Sequence, residues 1–249
     1  MKTITVLLCT ILFLANSGVS RAGEVLFDTS HRVIFHPQSE EPLGLQGFLS
    51  LFEQRGVKVS VSDAPITAST LESIDTLVLP GPMQPFEQGE IDLINSFVRR
   101  GGNLIVLLHI SFPVARLTER FGIIVSSMVI SEHENLIGGK SQDFFVKDIT
   151  PHPVTRGVGS IALLGTWGLM AEEGAAIVAS TTDHAWGDSN RNRVYDEGEP
   201  MVKVGVVAVA EPGRGKVVVI ADDAPLANAF LGMGDNLTLA QNIAEWVRR

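Results

Sequence analysis

The chain has 249 residues, a net charge of −9 and a single cysteine. Hydrophobic residues make up 45% of it, which excludes a disordered chain, because that much apolar side chain drives collapse. The acidic balance excludes a nucleic-acid partner, since no basic cluster is available to neutralise phosphates.

Residues 1–22 read as an export signal. Lys2 precedes an apolar run from Ile4 to Ala15, and Ser20-Arg21-Ala22 places small residues at the −3 and −1 positions that signal peptidase accepts. The run is shorter than the roughly 20 residues that cross a bilayer, so no membrane span is expected after cleavage. Cleavage after Ala22 removes Cys9, leaving no disulfide, thiol nucleophile or thiolate ligand. It also removes Lys2 and Arg21, two of the 19 basic residues, against all 28 acidic ones retained, for a net charge of −11. Residues 23–249 are then expected to form one domain, periplasmic or secreted.

Short apolar runs alternate with helical patterns along that domain. Val25–Phe27 reads as a strand ending at Asp28. Leu45, Phe48, Leu49 and Phe52 lie at helical spacing, with Gly56 as the C-terminal cap. Val57–Val61 is the second strand. Ser69-Thr70-Leu71-Glu72 has capping-box spacing and opens a short helix. Thr76–Leu79 is a third strand, stopped by Pro80-Gly81-Pro82. Ile91, Ile94, Phe97 and Val98 share one helix face, and Gly101-Gly102 ends that helix. Asn103–Leu108 is a continuous apolar strand of the kind buried on both faces. Pro113 starts a helix that Gly122 ends. Ile123–Met170 reads as short strands and loops. Ala175–Ala179 is a strand, and Val204–Ala210 and Lys216–Ala221 are joined by a hairpin-like turn, Glu211–Gly215. A helix over Leu237–Val247, capped by Asp235 or Asn236, closes the chain.

This alternation predicts an α/β fold: a doubly wound, mostly parallel sheet with an antiparallel C-terminal extension. In such sheets ligands meet the loops at the carboxyl ends of the strands. Those loops hold Asp28, His31, His109, Asp222 and Asp223, the candidate pocket residues. Acids and histidines gathered there could act as acid and base or bind a metal, whereas Asp28 and Asp222 could equally cap turns by accepting backbone N–H groups. Trp167, Trp186 and Tyr195 could form a surface on which sugars stack, although such rings more often pack in cores and loops.

The motif order is familiar. "LVLPGP", a helix with an early acidic residue, "RRGGNLIVLLH" and "GRGKVVVIADDAPLAN" followed by "DNLTLAQNIAEWV" together resemble the class I glutamine amidotransferase-like superfamily. The likeness is greatest to its non-catalytic branch: a bacterial domain-of-unknown-function family, the gliding-motility GldG-type proteins and the intraflagellar-transport GIFT domain. It covers nearly all of the mature chain and implies a flavodoxin-like, amidotransferase-like fold. Catalytic members carry a cysteine on a sharp turn after the strand that follows Gly-Gly. Here that stretch reads Val106-Leu107-Leu108-His109-Ile110-Ser111, with no thiolate for glutaminase chemistry and no glycine for the strained turn. His109 is similar to a histidine near this position in ThuA-like sugar-utilisation proteins.

The strongest local motif is the stretch Asp188–Glu199. With Asp188 as position 1, oxygen donors fall at 1, 3, 5, 9 and 12: Asp188, Asn190, Asn192, Asp196 and Glu199, with the Val194 carbonyl at 7. A hard cation takes six to eight oxygens at roughly 2.3–2.6 Å, and a tightly curled loop aims alternate side chains inward. A structural Ca²⁺ is expected, with no organic cofactor, and with Val194 and Tyr195 anchoring the loop to the core. Against it stands Arg193 at position 6, where glycine normally supplies the positive φ. The expected function is a secreted, non-catalytic binding or assembly module for a protein or carbohydrate ligand. The alternative is a hydrolase of sugars or other small substrates working through the strand-end Asp and His residues.

Overall fold

A computed structural model describes residues 23–248; the export signal read from residues 1–22 lies outside them. In chain order the strands are β1 (Glu24–Asp28), β2 (Lys58–Ser62), β3 (Thr76–Pro80), β4 (Asn103–Leu107), β5 (Ile123–Ser131), β6 (Leu136–Ile137), β7 (Lys140–Val146), β8 (Asp148–Ile149), β9 (Ile161–Leu164), β10 (Trp167–Ala171), β11 (Ala175–Ser180), β12 (Trp186–Asp188), β13 (Gly205–Ala210) and β14 (Lys216–Ile220). The helices are α1 (Gln46–Glu53), α2 (Ala68–Glu72), α3 (Gln88–Arg99), α4 (Ala115–Thr118) and α5 (Asn236–Trp246).

Eleven strands form one mixed sheet, along the path β12-β5-β10-β13-β14-β4-β3-β1-β2, with β11 on β13 and β8 on β11. β2, β1, β3, β4 and β14 run parallel. From β14 through β13, β10 and β5 to β12 every pairing is antiparallel. A flavodoxin-like, doubly wound sheet is therefore not the architecture. Half of the sheet is antiparallel, helices are few, and the extension comes mainly from the middle of the chain. The residues 123–171 fold into long β5, bulged β10 and a separate three-stranded sheet, β6-β7-β9.

The most deeply buried strands are where their sequences demand. β3, β4, β13 and nearly all of β14 are buried along their length, so uninterrupted Val, Ile and Leu runs have apolar neighbours on both faces. α3 buries Ile91, Ile94, Phe97 and Val98 on one face, and Phe27, Phe48 and Phe52 pack edge to face with ring centroids 5.3–6.0 Å apart. One correction concerns α2. Thr67, not Ser69, caps it, with Oγ1 accepting the Thr70 N–H at 3.2 Å. At α5 the expected cap Asp235 instead turns its carboxylate to the N–H groups of Gly159 and Ser160, both at 2.9 Å. No helix among the described residues is long and apolar enough to cross a membrane.

Candidate functional site

The carboxyl ends of β1, β3, β4 and β14 converge on one edge, and two histidine–carboxylate pairs form there. Asp28 ends β1 with 2% of its surface exposed. Its Oδ2 meets His31 Nδ1 at 2.7 Å, and its Oδ1 accepts the Ser30 hydroxyl at 2.6 Å. His31 Nε2 reaches Glu90 Oε2 at 3.2 Å. That same oxygen accepts the Glu87 N–H at 3.1 Å at the start of α3, so one carboxylate caps the helix and holds the imidazole. Phe86 stacks on His31 with centroids 3.8 Å apart. Burial works against the charged imidazole, but the hydrogen bonds and charges of Asp28 and Glu90 outweigh it and hold the His31 pKa above its ordinary value.

The second pair follows β4 and β14. His109 Nδ1 lies 2.9 Å from Asp223 Oδ2, and this hydrogen bond raises the histidine's pKa against the effect of burial. The His109 carbonyl accepts the Trp167 indole N–H at 3.2 Å, and Phe35 meets the imidazole edge to face at 5.4 Å. The His109 Nε2 has no hydrogen-bond partner among the described residues, and the side chain is 29% exposed. Burial pushes Asp223 up, opposed by His109. Its neighbour Asp222 points elsewhere. Its two oxygens accept the backbone N–H groups of Leu164 at 2.6 Å and Ala224 at 2.9 Å. Burial, reinforced by the charge of Asp223, nevertheless raises the Asp222 pKa to about 8.

Gly81 sits against the second pair. A Cβ there would lie 2.5 Å from Asp223 Oδ2 and 3.0 Å from His109 Cβ, and its φ is +69°, so only glycine lets β3 end so close. The next residues pair back to the first cluster, with the Met83 N–H donating to the His31 and Arg32 carbonyls at 3.0 and 2.9 Å. The five expected pocket residues therefore reach one edge but not one site: His31 joins Asp28, His109 joins Asp223, and Asp222 serves the backbone. Sequence reading missed Glu90, although Glu87 and Glu90 stand at capping-box spacing ahead of an apolar helix face. It also missed Gly81 and Phe86 as the packing partners of the two pairs.

The loop from Asp188 to Glu199 closes on itself. Asp188 is 1% exposed and accepts the N–H groups of Asn192 and Arg193 and the Gln142 amide at 2.9–3.2 Å. Asn190 and Asn192 donate to Asp196 Oδ2 at 2.6 and 2.7 Å. Glu199 accepts from the Ser189 N–H at 2.8 Å and the Asp196 N–H at 3.1 Å. Arg193 adopts φ +65°, the left-handed turn expected of glycine there. Among the described residues no three His, Cys, Asp or Glu side chains are grouped to hold a metal ion. The expectation of a metal cluster is corrected accordingly: the loop's acids are matched to N–H donors rather than massed together. Val194 does not anchor the loop, being 61% exposed, whereas Tyr195 packs edge to face on Trp186 and His133.

These features define a mostly β domain, corrected from the expected α/β class and built on a mixed eleven-stranded sheet, whose parallel-strand edge carries two separate histidine–carboxylate pairs. The family model for a domain of unknown function, DUF4350, matches residues 37–244, and the chain belongs to that family. It is not a class I glutamine amidotransferase family, and the resemblance drawn from the motifs is corrected on that finding. Those motifs fall on β3, α3, β4, β14 and α5 and the turns that follow the strands. Among solved structures, the "mmIFT52 N-terminal domain" is similar at 15% identity and a TM-score of 0.74, over 91% of this chain and 97% of that one. The cytoplasmic protein STM1381 from Salmonella typhimurium LT2 is similar at 17% identity and a TM-score of 0.57, over 90% and 99%. The cytoplasmic protein STM3548 from Salmonella typhimurium is similar at 12% identity and a TM-score of 0.58, over 91% and 98%. At these identities the likeness is one of fold. No curated protein matches.

Proposed function

We propose that this chain is a non-catalytic binding or assembly module working outside the cytoplasm, in the periplasm or beyond. The observation that carries the reading is the committed state of the strand-end groups. His31 has both ring nitrogens engaged, Asp222 has both oxygens on backbone N–H groups, and Asp223 is held by His109. Both nitrogens of His31 and both oxygens of Asp222 are thereby occupied in bracing the edge. The residues after β4, His109-Ile110-Ser111, supply no thiol. The basic, apolar and small-residue order of residues 1–22 supports export. A protein or carbohydrate ligand is the partner class proposed.

A structural Ca²⁺ in the Asp188–Glu199 loop belongs to this proposal. Its support is the left-handed Arg193 at the position where such loops turn, and the spacing of Asp188, Asn190, Asn192, Asp196 and Glu199 along the chain. The second reading, hydrolysis, draws on one observation, the partly exposed His109 side chain beside Asp223, whose Nε2 has no partner among the described residues.

One set of measurements separates the readings. Purified protein is assayed on nitrophenyl esters and glycosides beside His109→Ala. No His109-dependent turnover is expected, and turnover lost in the variant would establish the hydrolase. Melting is then followed in millimolar Ca²⁺ and in chelator. The ion is expected to raise Tm, and Glu199→Ala to abolish the rise; equal Tm in both buffers removes calcium from the proposal.

A further inference from the structure

We propose that a cleft beside His109, lined by Ile110, Ser111, Phe112, Val129, Trp167 and Arg191, binds a small organic anion with an apolar body. This ligand class rests on the reading of the chain as a binding module. The cleft has a volume of about 480 Å³, the size of sites that enclose small molecules. It opens past the carboxyl end of β4, next to the His109–Asp223 pair.

Its apolar wall is built, not incidental. Phe112 is 74% exposed, more than any other large hydrophobic residue among those described. The buried Pro113 and Val114 that follow it fix the chain just past its Cα. Trp167 is 6% exposed and pinned by its indole N–H on the His109 carbonyl, so the part of its ring that lines the cleft is held in one orientation. An exposed aromatic beside a fixed one is a surface that gains by covering a flat apolar body.

Arg191 supplies the charge. Its side chain makes no hydrogen bond or ion pair among the described residues, in a chain with 28 acidic residues and 19 basic ones. Its φ is +63°, a left-handed conformation that asparagine or glycine adopts at lower cost than arginine. The loop does not need a guanidinium to hold this turn. Asn192 N–H donates to Asp188 Oδ1 at 3.2 Å and Asn190 Oδ1 at 2.9 Å, and those bonds set the backbone on either side of Arg191. An arginine without a partner among the described residues therefore lines a cleft otherwise walled by four apolar side chains and two serines, Ser111 and Ser127, with the Ser111 hydroxyl also unpartnered among the described residues. The guanidinium fork matches a carboxylate or a phosphate ester. A single cation on an acidic molecule selects one small anionic head over a polyanion.

The three tryptophan indole N–H signals of the ¹⁵N-labelled protein read the test. The probes are 3-phenylpropionate, phenyl phosphate and uncharged 3-phenylpropanol. A saturable shift of one indole signal, assigned by Trp167→Phe, is expected with the carboxylate, the phosphate ester or both, and which of them binds fixes the head group. Loss of the charge should weaken binding about tenfold or more. Arg191→Asn should weaken the anions by a similar factor while leaving Tm unchanged or higher, because asparagine suits the turn. Equal binding of the alcohol, undiminished binding to Arg191→Asn, or no saturable shift at millimolar anion would each overturn the cleft and leave the module reading intact. Release of phenol from phenyl phosphate would do the reverse, sinking the non-catalytic reading while the cleft stands.

Discussion

Asp222 sits where two opposing influences meet. Its carboxylate accepts two backbone N–H bonds, which favour the ion, yet full burial and the charge of Asp223 raise its pKa to about 8. In the unfolded chain an aspartate titrates near 3.9. Between those values the folded protein holds a proton that the unfolded chain has released, so stability falls as pH rises through that window. Below about pH 5.5 the two histidines with raised pKa, His31 and His109, are charged in both states and add little slope, whereas Asp223, also raised by burial, adds to that of Asp222. Urea unfolding from pH 4.5 to 5.5 should therefore show a loss of about 1 kcal/mol or more, and Asp222→Asn should reduce it while lowering stability at pH 4.5, where it loses one N–H bond. An unchanged slope in the variant would mean that Asp222 is ionised when folded. The positions of this residue, Asp28, His31, His109 and Asp223 were legible in the sequence, because a strand end is where an apolar run stops. Their pairing was not. Glu90, which completes the first cluster, lies 59 residues from His31, and no local pattern reports which carboxylate a histidine will face.

The hairpin between β13 and β14 shows the same division between local and distant cause. Glu-Pro-Gly-Arg-Gly announces a turn, and a turn forms. What the spacing does not report is that the turn seats on the C-terminal end of α3. A Cβ on Gly215 would lie 2.1 Å from the Val98 carbonyl oxygen and 2.2 Å from that of Gly102. Both obstacles are backbone, so Gly215→Ala should cost about 3 kcal/mol or more, read as a lower urea midpoint. Gly89 is the control: it lies inside α3 with nothing within 4 Å of a Cβ, and Gly89→Ala should gain about 0.5 kcal/mol or more. Equal effects at the two sites would mean that the hairpin does not bear on the helix. Residues 123–171 resisted reading for a related reason. β5 is half-buried along most of its length and lacks clean alternation, β6 and β8 are two residues each, and β10 carries a register shift between Trp167 and Leu169. Such strands are fixed by the partners they meet, not by a period of their own.

At the scale of the molecule, the parallel and antiparallel halves share one continuous ladder, and their seam is β14 against β13. Bonds that cross the seam reinforce it. The Trp167 N–H donates to the Ala221 carbonyl at 3.0 Å, the Leu164 N–H to Asp222, and the Ala162 N–H to Asn236 on α5 at 3.0 Å. The buried apolar residues of both halves form one contiguous core. A sheet joined in this way should melt as a single cooperative unit, because neither half can open without baring the seam to water. Protection should still be graded across it. β4 and β14 are flanked by strands on both sides and buried nearly throughout, so their amides should exchange only by global unfolding. β2 and β12 end the ladder, and β8 has a partner on one side only, so their amides should exchange through local opening, at least about a hundredfold faster. Native-state hydrogen exchange in low urea measures this directly. If β5 and β10 exchanged as a block, well below the free energy of β4 and β14, the antiparallel half would be a separately folding unit docked on the parallel one, and a second transition would appear in the melt.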